Sequence, residues 1–240
     1  FGYFGGGQSE VTIVSRLDYS NDSADASPKG PLTTGAENLA ATGNANFGYF
    51  AGGSTPSAPG GSTLVQRIDY SSDTIDATPK GNLNRTRYGL GATGNANFGY
   101  IGGANTPGSQ SQIDRIDYSN DTVLATVLGS HLSSNRQYLS ATSAKENGFI
   151  PIGPSVVAKV PFSSTQYGYF VAGRTYPPSY SHKDRLDYSN DTVKAVTRGF
   201  WNAGGYLQTT TSGSSNTHGY QIGSSNSSEV TRMTYANDTD

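Results

Sequence analysis

Hydrophobic and polar positions alternate with period two over short stretches of this 240-residue chain, as they do in strands that bury one face. In "RLDYSND" (16–22), Leu17 and Tyr19 point one way while Arg16, Asp18, Ser20 and Asp22 point the other. The heptad returns as "RIDYSSD" (67–73), "RIDYSND" (115–121) and "RLDYSND" (185–191), with worn copies "KVPFSST" (159–165) and "RMTYAND" (232–238). Ahead of each copy lies an aromatic–glycine run: "FGYFGGG" (1–7), "FGYFAGG" (47–53), "FGYIGG" (98–103), "GFIPIG" (148–153), "YGYFVAG" (167–173) and "HGYQIG" (218–223). Small-residue stretches such as "NLAATGNAN" (38–46), "YGLGATGNAN" (88–97) and "YLSATSAKEN" (138–147) precede these runs, each read as a strand ending in a Gly/Asn hairpin signal. "DASPKG" (25–30) and "DATPKG" (76–81) follow the heptads and read as outer edge strands, where proline is tolerated. No segment carries a helical period.

The aligned tyrosines Tyr19, Tyr70, Tyr118, Tyr188 and Tyr235 are separated by 51, 48, 70 and 47 residues, and "ATGNANFGY" occurs identically at 41–49 and 92–100. Four antiparallel strands repeating every 40–50 residues describe the blades of a β-propeller, because one such sheet has two faces to bury and gains them by radial stacking. The expected fold is therefore all-β: a single propeller domain over 1–240, with about five to six blades and an irregularity near 150–170. Its repeat units fall at approximately 1–35, 36–84, 85–134, 135–165, 166–202 and 203–240. The chain opens on a second strand and ends on a third, as a piece of a longer polypeptide would.

Composition narrows the chemistry. The net charge is −2 and there is no Lys/Arg run, so the electrostatic footprint of a nucleic-acid binder is missing. No apolar run approaches the ~18 residues of a spanning helix, so membrane insertion is not expected. With 0 cysteines there are no disulfides and no thiolate chemistry. His131, His182 and His218 are scattered, and no nucleophile, phosphate-binding or dinucleotide motif occurs, so no catalytic residue, metal site or cofactor is expected. Asp18 and Asp22 would lie about 13 Å apart on an extended strand, too far to share one cation.

The charged heptad positions therefore read as repeat ion pairs: Arg16 with Asp18, Arg67 with Asp69, Arg115 with Asp117 and Arg185 with Asp187, within a strand or across to the next blade. Asn21–Asp22 would form the turn into the outer strand through side-chain-to-backbone hydrogen bonds. The same positions create N-x-S/T sequons at Asn21, Asn120, Asn190 and Asn237, read here as turn chemistry rather than glycan acceptors.

The glycine doublets Gly52–Gly53 and Gly102–Gly103, the tyrosines Tyr70 and Tyr118, and Arg87 and Arg136 ahead of the next inner strand resemble the Kelch repeat, although its outer-strand tryptophan is replaced by "ATPKG"-type sequence. The wording "RIDYSNDT … GLGATGNANFGYIGG" is similar to Kelch-like repeats in virion proteins of marine tailed bacteriophages. That resemblance implies a virion surface, tail-fibre or decoration component with a host-surface glycan or protein, or other virion proteins, as partner. The connections after strands two and four vary between copies, as recognition loops do on a rigid scaffold: "STPSAPGGS" (54–62), "ANTPGSQS" (104–111), "RTYPPSYSH" (174–182) and "RGFWNAGGY" (198–206). Tyr176, Tyr180, Trp201 and Tyr206 on these loops form the candidate binding patch. A secreted lectin-like glycoprotein and a glycan-active propeller enzyme are the rival readings.

Overall fold

The computed structural model describes all residues except 22, 107, 144–166, 174–181, 201–210, 215–217, 225–226 and 236–240. Its strands form antiparallel sheets arranged as a β-propeller. The first sheet has three strands, β1 (Gly2–Gly5), β2 (Val14–Leu17) and β3 (Ser27–Pro28). The second runs β4 (Ala40–Gly43), β5 (Phe47–Ala51), β6 (Val65–Asp69) and β7 (Thr78–Pro79). The third comprises β8 (Gly91–Gly94), β9 (Phe98–Asn105), β10 (Ser109–Asp117) and β11 (Thr126–Arg136). The fourth comprises β12 (Ser140–Ser143), β13 (Tyr167–Val171), β14 (His182–Asp187) and β15 (Val196–Phe200). The fifth again has three strands, β16 (Thr211–Ser214), β17 (His218–Ser224) and β18 (Ser227–Thr234). Strand order within each sheet follows the chain, and the three four-stranded sheets run from small-residue inner strand through the aromatic–glycine and heptad strands to the outer one.

The fourth sheet departs from the expected units. β12 pairs with β13, Ser140 opposite Val171 and Ser143 opposite Gly168, so parts of the units at 135–165 and 166–202 share one sheet. Their separation rested on "GFIPIG" and "KVPFSST", which fall within 144–166, outside the described residues.

Apolar clusters lie between successive sheets. Val14, Leu32, Phe50, Ile68 and Ala77 pack between the first two. Tyr49, Val65, Ile101, Ile116 and Tyr118 lie between the second and third, and Tyr100, Ile113, Phe170 and Leu186 between the third and fourth. Tyr169, Val171, Met233 and Tyr235 complete the series. Size is matched across these seams. A Cβ on Gly5 would stand 2.6 Å from the Phe50 ring, and one on Gly102 equally close to Phe170. At the intervening seam the glycine position is Ala51 and the incoming side chain shrinks to Ile101. In the first sheet Phe4, Ile13 and Tyr19 are 62%, 58% and 63% exposed where Phe50 is 3%.

Fully buried ion pairs hold the segment leading into two inner strands. Arg87 pairs with Asp114 and Arg136 with Asp184. Asp114 also accepts from the Asn84 amide at 2.9 Å, and Asp184 from the Ser133 amide at 2.8 Å. At the matching place before β4 the chain has Ala36, and Gln66 replaces the aspartate. Gln66 accepts from Thr34 N at 3.0 Å and donates to Thr34 O at 2.9 Å, so the same task is done without charge. Removing one member of a buried pair strands the other charge, whereas replacing both is often close to neutral. Asp114→Ala should therefore lower unfolding free energy by about 3–5 kcal/mol. Arg87→Ala combined with Asp114→Gln should recover at least half of that loss in chemical denaturation.

Candidate functional site

The heptads are organised around a residue that the expected pairs left out. Arg16 Nη1 lies 2.6 Å from Asp73, the last residue of the next heptad, and Tyr3 donates its hydroxyl to the same carboxylate at 2.8 Å. Lys29, from the "SPKG" edge strand, approaches its other oxygen at 3.4 Å. One sheet on, Tyr49 (2.8 Å), Arg67 (2.7 Å) and Lys80 (3.4 Å) converge on Asp121. Tyr100 (3.0 Å) and Arg115 (2.6 Å) meet Asp191 in the same way. Asp22, the corresponding residue of the first heptad, lies outside the described residues.

Of the two expected pairings, Arg16, Arg67 and Arg115 therefore take the one across to the next sheet and not the one with the aspartate of their own strand. The Asp18 carboxylate turns back on its own chain and accepts from Ser20 N at 2.9 Å and Ser20 Oγ at 2.7 Å. Asp69, Asp117 and Asp187 do the same to Ser71, Ser119 and Ser189. A carboxylate two residues ahead of a turn amide is geometrically committed to that amide, which frees the arginine to cross the seam. The arginine is also held over the first aromatic of the neighbouring strand: Arg16 over Phe1, Arg67 over Phe47 and Arg115 over Phe98, at 4.2, 4.1 and 4.7 Å. Arg185 lies over Tyr167 at 4.2 Å.

The seam is completed by ring stacking, Tyr3 on Tyr70 at 4.7 Å, Tyr49 on Tyr118 at 4.8 Å, Tyr100 on Tyr188 at 4.9 Å and Tyr169 on Tyr235 at 5.4 Å. Burial first, and then the neighbouring carboxylate, raises the pKa of Tyr3, Tyr49 and Tyr100, so each remains a hydrogen-bond donor at neutral pH. For Asp73, burial opposes the charge, but the Tyr3 hydrogen bond, Arg16 and Lys29 outweigh it and lower the pKa. Among the described residues no group of three His, Asp or Glu side chains could hold a metal ion.

The two ends of the sheets differ. At one end the short turns are near-copies: Asn44 Oδ1 accepts from the amides of Asn46 and Phe47 at 2.9 and 3.0 Å, and Asn95 repeats this with Asn97 and Phe98, both at 2.8 Å. At the other end the connections differ from sheet to sheet. The residues entering the inner strands form a rim there, with Gly89 N donating to Asn38 O at 2.8 Å and Tyr138 N to Gly89 O at 2.6 Å. All three have positive φ, 53° for Asn38, 64° for Gly89 and 52° for Tyr138. Left-handed backbone suits Gly and Asn but costs a bulky residue about 1–3 kcal/mol, so Tyr138 is strained.

The half-buried Tyr138 ring stands edge-on to Tyr88, 6.2 Å between centroids, and Asn105 donates its amide to the Tyr88 hydroxyl at 2.6 Å. Thr106 reaches across to Gly60 O at 2.8 Å, joining the loop at 54–62 to the neighbouring hairpin. Beside this rim a cleft of about 540 Å³ opens between inner strands, lined by Phe4, Ala41, Ala92, Ser140 and Ala141 among others. Its lining residues include no Asp, Glu, His, Lys or Arg.

The sequence-derived patch, Tyr176, Tyr180, Trp201 and Tyr206, lies outside the described residues, in the segments joining β13 to β14 and β15 to β16. Sequence reading passed over Tyr88 and Tyr138, whose only signal was an aromatic just ahead of the variable inner-strand entry. No protein-family model matches the chain, and no curated protein matches it in sequence.

Asp73 at the seam and the carboxylates of three heptad turns set a pH dependence. Asp73, with Asp18, Asp69 and Asp117 held low by their serine hydrogen bonds, has a folded pKa below its unfolded value of about 3.9. Stability from these groups is complete above that value and is lost as pH falls through the lower folded values. The thermal midpoint should hold steady near neutrality and drop below about pH 4, and Asp73→Asn should flatten that drop.

Proposed function

We propose that the chain is a non-catalytic binding and structural β-propeller of the Kelch-like type, serving at a virion surface or in a tail fibre. Its partner on this reading is a host-surface glycan or protein, met by the face that carries the variable connections. The observation behind the reading is the contrast between the two faces. One is made of near-identical turns whose polar groups are spent on their own backbone. The other presents the Tyr88–Tyr138 pair, the Asn105 amide and the Ser54–Gly60 loop, which differ from sheet to sheet. An aromatic pair beside an amide suits a glycan, whose C–H faces pack on rings while its hydroxyls hydrogen-bond to the side chain. Strain at Tyr138 supports the same assignment, since glycine does the backbone's work at the equivalent Gly89. The virion context rests on the resemblance of the repeats.

Binding to a glycan array and to intact host envelope should fall at least tenfold for Tyr88→Ala and for Tyr138→Gly, as expected for a central aromatic anchor. Tyr138→Gly should leave thermal stability unchanged or raise it, because it relieves the positive φ. If both variants bind like the parent, the recognition surface is elsewhere. Material from the native source should also have the mass of bare polypeptide, with no sugar on Asn21, Asn120, Asn190 or Asn237.

A further inference from the structure

The turns that join the heptad strands to the outer strands leave a row of apolar side chains in solvent. Ile75, Val123 and Val193 hold one repeat position, two residues past the closing heptad aspartate, and are 66%, 50% and 53% exposed. The next position carries Asp76, Leu124 and Lys194, all exposed. Val127 and Val196 follow in β11 and β15, exposed as well. Six of the eleven exposed large hydrophobic residues among the described ones thus lie in these three short segments.

The fold fixes these turns without using their tips. Two residues past each apolar side chain stands a buried alanine whose amide donates to the preceding sheet or the segment just after it. Ala77 N meets Pro31 O at 2.8 Å, Ala125 N meets Asn82 O at 2.9 Å and Ala195 N meets His131 O at 3.1 Å. The carbonyls of Ile75 and Val123 sit directly on Gly30 and Gly81, where a Cβ would collide with them. A surface held this firmly loses little freedom on binding. It lies at the end of the near-identical turns, opposite the variable connections, since Tyr70 N and Tyr118 N donate to Asn46 O and Asn97 O, both at 3.0 Å.

An exposed apolar residue repeated on three successive sheets matches a partner that repeats in the same way, and a second copy of the chain is such a partner. The neighbouring position selects the direction. Across the second, third and fourth sheets it runs acidic, apolar, basic, as Asp76, Leu124 and Lys194, with Asp25 of the first sheet extending the acidic end. Neither Asp76 nor Lys194 has an ion-pair partner in its own chain among the described residues. We propose that this row is a homodimer interface with a two-fold axis through the third sheet. Such an axis turns the row onto its own reverse, setting Leu124 against Leu124 and Asp76 of each copy against Lys194 of the other. Apolar contact supplies the affinity, and the charges set the register, because parallel pairing would place like charges together. Six half-exposed side chains fall short of the ~800 Å² per partner of a standard interface, so the association is expected in the micromolar range. The row is separate from the recognition face and does not depend on its assignment.

Sedimentation equilibrium of the 240-residue chain should show monomer and dimer and no larger species. Leu124→Asp should weaken the dimer by roughly tenfold or more, by placing two like charges at the axis. Asp76→Lys and Lys194→Asp should each weaken it alone, because each creates two like-charge contacts. Mixed in equal amounts, these two variants should form a heterodimer about as tight as the parent dimer, since both cross-contacts then join opposite charges. Thermal midpoints of all three should match the parent, as expected for exposed positions, which separates lost association from lost folding. A chain that stays monomeric to several hundred micromolar would overturn the proposal and leave the row to another partner. So would a dimer insensitive to Leu124→Asp, or a mixture that associates no more tightly than its components. Growth into larger species would indicate a head-to-tail contact and overturn it too.

Discussion

In three of the heptads the closing carboxylate fastens one sheet to the sheet before it. Asp73, Asp121 and Asp191 each receive a tyrosine hydroxyl and an arginine from the preceding sheet. A four-stranded sheet with two apolar faces gains little by folding alone, so the fold depends on whether neighbouring sheets meet in one register. Apolar clusters drive that contact but are indifferent to a slip of one position. The carboxylate is directional. It must lie where a phenol on one strand and a guanidinium three residues before a tyrosine on the next both reach it. The stacked tyrosines couple the two demands, because the ring whose hydroxyl binds the carboxylate also lies against the heptad tyrosine of the following sheet.

The repeat has varied its seams in compensating ways, which shows what each seam requires. Where an incoming phenylalanine crosses, the facing residue is glycine, at Gly5 and Gly102; where isoleucine crosses, alanine is accepted, at Ala51. The volume of the pair is kept while its members change, as close packing demands. Charge behaves alike. The Arg87–Asp114 and Arg136–Asp184 pairs have a neutral equivalent in Ala36 and Gln66, and both members differ together. The requirement at that position is therefore a satisfied acceptor that holds the entering loop, and charge is one means of meeting it.

Much of the fold was legible in the chain because strand alternation, tight-turn residues and a repeat near 48 residues are local signals that agree with one another. The four-strand order and the propeller arrangement follow from them. The partner of the heptad arginine was not legible. Asp18 and Asp73 are both aspartates within copies of one motif, and the residue two positions away is the nearer candidate in sequence. Only the prior use of Asp18 by Ser20 excludes it, and that is a matter of turn geometry. The pairing of β12 across the expected boundary at 165 bears on the same point. "GFIPIG" and "KVPFSST" resemble strands of the repeat by composition, yet β12 finds its partner beyond them, in β13. Local pattern identifies a strand's type more readily than the strand it pairs with.

Repetition also explains where function is to be sought. A residue that serves the seam recurs at every seam, so recurrence marks architecture: the heptad aspartates, the stacked tyrosines and the Asn44 and Asn95 turns all recur. A residue that serves a ligand has no reason to recur, because a ligand meets the molecule at one place. Tyr138 breaks the pattern in this sense, standing where its counterparts are Asn38 and Gly89 and holding a backbone conformation that favours those two residues over itself. The rim hydrogen bonds themselves need no ring, since Gly89 and Asn38 share one of them without it. On the proposed reading, the side chain placed there at a conformational cost serves recognition, which would account for both its position and its strain.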